Sequence, residues 1–127
     1  MIIIDIEVKN IFEEFNVIAD NSQNIAIFSR DIELQKSEVL EIDSYINKLD
    51  TLISKEVLTE TELNLLLFLK YSIDSVKQEI QMIIHLKLGE TDSAWTALIL
   101  AQNYISIAST NHPFDSNQLN SYINRLE

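Results

Sequence analysis

Cysteine is absent from this 127-residue chain, and glycine and proline occur once each. Without thiols, neither a disulfide framework nor a thiolate metal site can hold the fold together. A single glycine cannot make a glycine-rich loop that cradles a phosphate. With so little turn chemistry, and with Ile, Leu, Glu, Lys, Gln and Asn in plenty, the chain reads as all-α. The wealth of Ile and Asn is what codons of an AT-rich bacterial genome produce, and it carries no mechanism.

Positive charge is scarce as well. Nine Lys and Arg stand against twenty Asp and Glu, a net charge of −11. Such a surface repels phosphate backbones and anionic lipids and favours basic partners. The bases are scattered without interleaved aromatics, so nucleic-acid binding is not expected. The imbalance is steepest early: residues 1–60 hold thirteen acids and five bases, residues 61–127 seven and four. Long apolar runs are missing too. Leu65 to Leu69 is far short of the roughly 20 residues a bilayer span needs, so no membrane contact is expected. The opening Met1-Ile2-Ile3-Ile4-Asp5 has neither a basic leader nor an exporting apolar run, which makes a cytoplasmic protein the expectation.

What the chain does have is apolar periodicity. A 46% apolar content is enough to fill a core in one domain spanning residues 1–127. From Val8 to Ile53, apolar residues return every three or four places, through Ile11, Phe15, Ile18, Ile25, Phe28, Ile32, Val39, Ile42, Ile46 and Leu49. Only Ser22 and Gln35 interrupt the series. This spacing draws a seam along one side of a helix that pairs lengthwise with others. The alternation of Ile2, Ile4, Ile6 and Val8 with their neighbours fits a short strand, but a lone strand has no partner, and a helical lead-in is preferred. One straight helix over Val8 to Ile53 would be about 69 Å long, twice the width of a compact chain of this size. The polar run Asp20-Asn21-Ser22-Gln23-Asn24 is the expected break, giving helices over about 5–19 and 22–54. The alternative is one continuous helix protruding into a dimer.

Thr59-Glu60-Thr61-Glu62 has the form of a capping box opening a helix that Gly89 closes. The expected architecture is a bundle of four to five helices, built on a long antiparallel hairpin of about 22–54 and 60–88. A helix over 93–110, capped by Asp92 or Ser93 and stopped at His112-Pro113, packs against that hairpin. From Ser93 to Pro113 there is no Asp, Glu, Lys or Arg. Its stripe Ala94, Leu98, Ala101, Ile105 and Ala108 alternates small and large, the pattern of a helix laid close on a neighbour. Trp95 and Ile99 flank the stripe on one side, Leu100, Tyr104 and Ile107 on the other. A last short helix, capped by Asp115 with Gln118, would carry Leu119, Tyr122, Ile123 and Leu126.

Chemistry is hard to assemble from these residues. Metal sites in bundles use carboxylates with a Glu-x-x-His pair, or two His four apart, and neither spacing occurs. Glu13-Glu14, or Glu38 with Glu41 and Asp43, could gather a hard cation, but a solvated helix face accounts for them more simply. His85 reads as a hydrogen-bonded boundary residue, and His112 as a favourable charge near a helix C-terminus. No metal, cofactor or enzyme activity is expected. What remains is surface. Either the 93–110 helix is wrapped by its own chain, or Trp95, Ile99, Leu100, Tyr104 and Ile107 supply anchors for another chain. The first expectation is an acidic protein-protein interaction module that self-associates, most simply as a homodimer, through those residues or the seam of the first two helices. The second is an inhibitor or immunity-type protein whose acidic helices cover a basic enzyme or toxin. The third, least favoured, is a carboxylate-based metal-dependent enzyme.

Overall fold

A computed structural model describes residues 3–28 and 31–113, with the side chains of 3–5, 23 and 26–28 left aside. They form four helices: α1 (Ile3–Phe28), α2 (Ile32–Ile53), α3 (Glu60–Lys87) and α4 (Thr91–Asn111). The all-α bundle expected from the sequence is the fold. The fifth helix expected over residues 115–126 lies outside the described residues.

Contacts between consecutive helices run antiparallel. Going along α1 from Glu7 to Ile11 to Ser22, the partners step back from Lys55, just past the end of α2, to Tyr45 and Glu38 on α2. Going along α2 from Gln35 to Asp43 to Asp50, the partners on α3 step back from Lys87 to Lys77 to Lys70. Ser75 and Asn64 of α3 meet Ala101 and Pro113 in the same sense. The chain therefore goes up, down, up, down.

The break in the first half is displaced from where propensity puts it. Asp20 to Asn24 stays inside α1. Helix α1 instead runs to Phe28, and Asp31 caps α2 by accepting from the backbone N–H groups of Glu33 and Leu34 at 2.9 and 3.4 Å. The hairpin arm expected to begin near residue 22 begins at Ile32. The reason is tertiary. Ser22 is fully buried, and its hydroxyl donates to Oε1 of buried Glu38 on α2 at 2.7 Å. Asp20, Asn21 and Asn24 meanwhile face water. A polar run with its one small member inward is helical when a neighbour supplies the partner. Glu38, grouped with Glu41 and Asp43 as a solvated face, is thus turned into the interior.

The start of α3 follows the sequence closely. Thr59 accepts from the Glu62 N–H at 3.1 Å while Glu62 accepts from the Thr59 N–H at 3.0 Å, which is the capping box. Gly89, with φ at +76°, turns the chain out of α3 in the left-handed region that favours glycine. Helix α3 is the central element, because it alone touches the other three. Its Leu66, Leu69, Ile73 and Ile80 are fully buried in one cluster with Val8 of α1 and Ile42, Tyr45 and Leu49 of α2. Each such side chain contributes about 1.5–3 kcal/mol by leaving water. The Tyr45 hydroxyl donates to the Ile11 carbonyl at 2.8 Å. Burial, helped by nearby Glu14, pushes its phenol far above the ordinary range and keeps it a neutral donor.

Two carboxyls of α3 link this packing to pH. Burial raises the Asp74 carboxyl, partly offset by Lys70 and Lys77, and burial alone raises that of Glu79. A carboxyl that holds its proton more tightly when folded than when unfolded removes stability as pH rises through that window. The contribution therefore returns as pH falls toward the unfolded values of 3.8 and 4.5. The thermal midpoint should climb as pH falls from neutrality toward those values, and Asp74→Asn with Glu79→Gln should flatten the climb. Calorimetry across that range checks it, and a midpoint that drops steadily with acidification contradicts it.

Candidate protein-interaction surface

Helix α4 touches α3 and no other described helix. Its contact face is made of Ala94, Ala97, Ala101 and Ala108, each at most 4% exposed. On α3, Ser72 and Ser75 are buried as well, and the Ser75 hydroxyl donates to the Ala101 carbonyl at 2.8 Å. Side chains this small let two helix axes approach closely. The expected inward stripe is corrected in two places: Ala97 stands in it where Leu98 was expected, and Ile105 is 46% exposed. The N-cap is corrected too. It is Glu90, not Asp92 or Ser93; its side chain makes no capping bond and instead meets His85 Nδ1 at 3.2 Å.

Because alanine does the packing, the large side chains of α4 are left outside. The five residues expected to form a contact surface divide between two flanks. Trp95 and Ile99, 60% and 53% exposed, stand one helical turn apart on an open side. Leu100, Tyr104 and Ile107 are half-buried on the other flank. There Tyr104 stacks on Tyr71 of α3 with ring centroids 6.3 Å apart, and Tyr71 stacks in turn on His112 at 5.6 Å. Asn64 ties this end down, donating to the Pro113 carbonyl at 2.7 Å.

The open side extends beyond Trp95 and Ile99. Leu98, Gln102, Ile105, Ser106 and Ser109 fall with them within about 120° of the helix circumference. Of these seven, all but half-buried Leu98 are exposed. None is charged, and neither is any other residue from Ser93 to Pro113. Sequence reasoning misses Ile105 as part of this face, because the alternation of small and large residues implies an inward position for it. Counting alanine alone at 94, 97, 101 and 108 would have pointed the helix correctly.

The remaining surface is of a different kind. All seven lysines are engaged: six face carboxylates, from Lys70 and Lys77 at 2.6 Å from Asp50 and Asp43 to Lys9 at 3.9 Å from Glu13, and Lys87 donates to Gln35. The Asp50 hydrogen bond holds the Lys70 ammonium above its ordinary range. A groove of about 350 Å³ between α1 and α2 is lined by Glu7, Glu14, Lys48 and Lys55, whose charges pair across it at 2.9 and 2.8 Å. Among the described residues, no three acidic or histidine side chains gather as a metal-binding group, and no helix is long and apolar enough to cross a membrane. No protein-family model, curated protein or solved structure matches the chain.

Two substitutions separate the packed from the open side of α4. Ala101→Leu forces three further heavy atoms into the contact with α3 and should cost about 1–3 kcal/mol. Trp95→Ala should change stability by no more than about 0.5 kcal/mol. Urea unfolding of both variants measures the pair, and equal losses would contradict the division.

Proposed function

We propose that this chain is a protein-protein interaction module that works through the open face of α4 and associates with its own kind. One observation carries the reading. Trp95 and Ile99 are more than half exposed on a helix side that, from Ser93 onward, has no charged residue to hold it in water. Aromatic and branched aliphatic side chains dominate the energy of protein contacts when another surface covers them. A helix with such a side is stable beside a partner and prone to association without one. A cytoplasmic setting belongs to the same reading.

A second reading is favoured by the state of the lysines. With each of them already bonded to a side chain of its own chain, acids such as Asp20, Glu41, Glu56 and Glu60 remain in excess on the exposed surface. A basic enzyme or toxin would find complementary charge there, as an inhibitor or immunity-type protein requires.

Salt distinguishes the two. Self-association of a chain with net charge −11 through an uncharged face works against long-range repulsion, so added salt should strengthen it. Binding of a basic partner should weaken instead. Light scattering at micromolar concentration is expected to give a mass above the 14.6 kDa of one chain. Ile99→Glu should return that mass to one chain with the thermal midpoint kept. A single-chain mass for the unaltered protein at every concentration and salt would sink the first reading.

A further inference from the structure

Resting on the reading of α4 as a contact surface, we infer that its occupant is the α4 of a second copy, packed antiparallel with Gln102 on the two-fold axis. Charge narrows the choice of partner first. Two chains of net charge −11 can meet without setting carboxylate against carboxylate only where neither carries any. The stretch from Ser93 to Pro113 is such a place. A basic partner finds no carboxylate to pair with on it, whereas the same face on a copy is equally neutral.

The order of side chains along the face is complementary to itself when reversed. Gln102 lies at its centre, with Ile99 and Ile105 three residues to either side, Leu98 and Ser106 four, and Trp95 and Ser109 seven. Antiparallel pairing about Gln102 sets Ile99 against the copy's Ile105 and Leu98 against Ser106. It also gives the indole of Trp95 the space left by a serine. At the axis, each Gln102 amide can donate to and accept from its twin, which satisfies the one amide of the face as it leaves water. Parallel pairing would set the two indoles against each other at one end and two serines at the other. It would also align the helix dipoles, which antiparallel packing opposes. An amide placed in a helix–helix seam is a known means of selecting one register.

The absence of cysteine makes single-cysteine probes of the full chain unambiguous. Under mild oxidation, Gln102→Cys should give a disulfide-linked dimer, because residues on the axis come within the 4.4–6.8 Å between Cα atoms that a disulfide spans. Ser109→Cys should not, since its two copies would lie about 21 Å apart along the axis. A dimer in which Ser109→Cys links and Gln102→Cys does not would overturn the antiparallel register. A dimer by light scattering in which neither links would overturn the use of this face, while self-association itself would stand. A single-chain mass throughout would overturn both. Gln102→Glu, at an exposed position, should weaken association at least about tenfold with the fold intact, by setting two carboxylates against each other. An equimolar mixture with Gln102→Lys should restore it. Unchanged association of Gln102→Glu alone would also overturn the inference.

Discussion

Alanine at positions 94, 97, 101 and 108 lets α4 lie directly against α3, and the character of the molecule's exterior follows from that contact. A helix that packs through methyl groups has no inward place for its larger side chains. Trp95, Ile99 and Ile105 therefore stand in water while the alanines are buried. Had leucines made the contact, the axes would stand further apart and the bulk would sit between them. The Ser75 hydroxyl on the Ala101 carbonyl adds a directional bond to the alanine contact and, with Tyr71 stacked on Tyr104, sets how α4 is placed along α3.

The three-helix core beneath this contact owes its alignment to polar groups as much as to apolar ones. Ser22 and Gln35, the two interruptions of the apolar seam, are both fully buried. Ser22 donates to Glu38, and the Gln35 carbonyl oxygen accepts from Lys87 at 3.1 Å. These bonds join α1 to α2 and α2 to α3. A slip of one helical turn would leave a buried serine hydroxyl and carboxylate without each other, at a cost of about 1–3 kcal/mol or more. Apolar contacts tolerate such slips far better, since one branched aliphatic resembles the next. Around this core, Lys48, Lys55, Lys70 and Lys77 each bridge to the neighbouring helix. Individually these exposed pairs contribute little, but together they occupy cations that would otherwise moderate the acidic surface.

Much of the fold was legible because it rests on local chemistry. The Thr59 and Glu62 capping box, the glycine stop at 89 and the α3 stripe depend on residues within a few places of one another, and all three stand as the sequence implies. The boundary between α1 and α2 escapes sequence reasoning for a physical reason. The spacing Ile25, Phe28, Ile32 continues at threes and fours straight through the reversal of the chain. Periodicity thus gave no sign of it, while the polar residues at 20–24 gave a false one. The candidate surface was half legible: freedom from charge and the two apolar flanks of α4 were visible, but which flank lay open was not.

Composition and periodicity alone thus determined an all-helical, cysteine-free, strongly acidic chain with a charge-free stretch from Ser93 to Pro113, since these follow from residue types and their spacing. Tertiary structure decided that α3 and not α4 occupies the centre, that Glu38 points inward, and that Trp95 and Ile99 face water. The spacing of apolar residues states how many faces of a helix can be buried. Only the positions of the other helices determine which of them is.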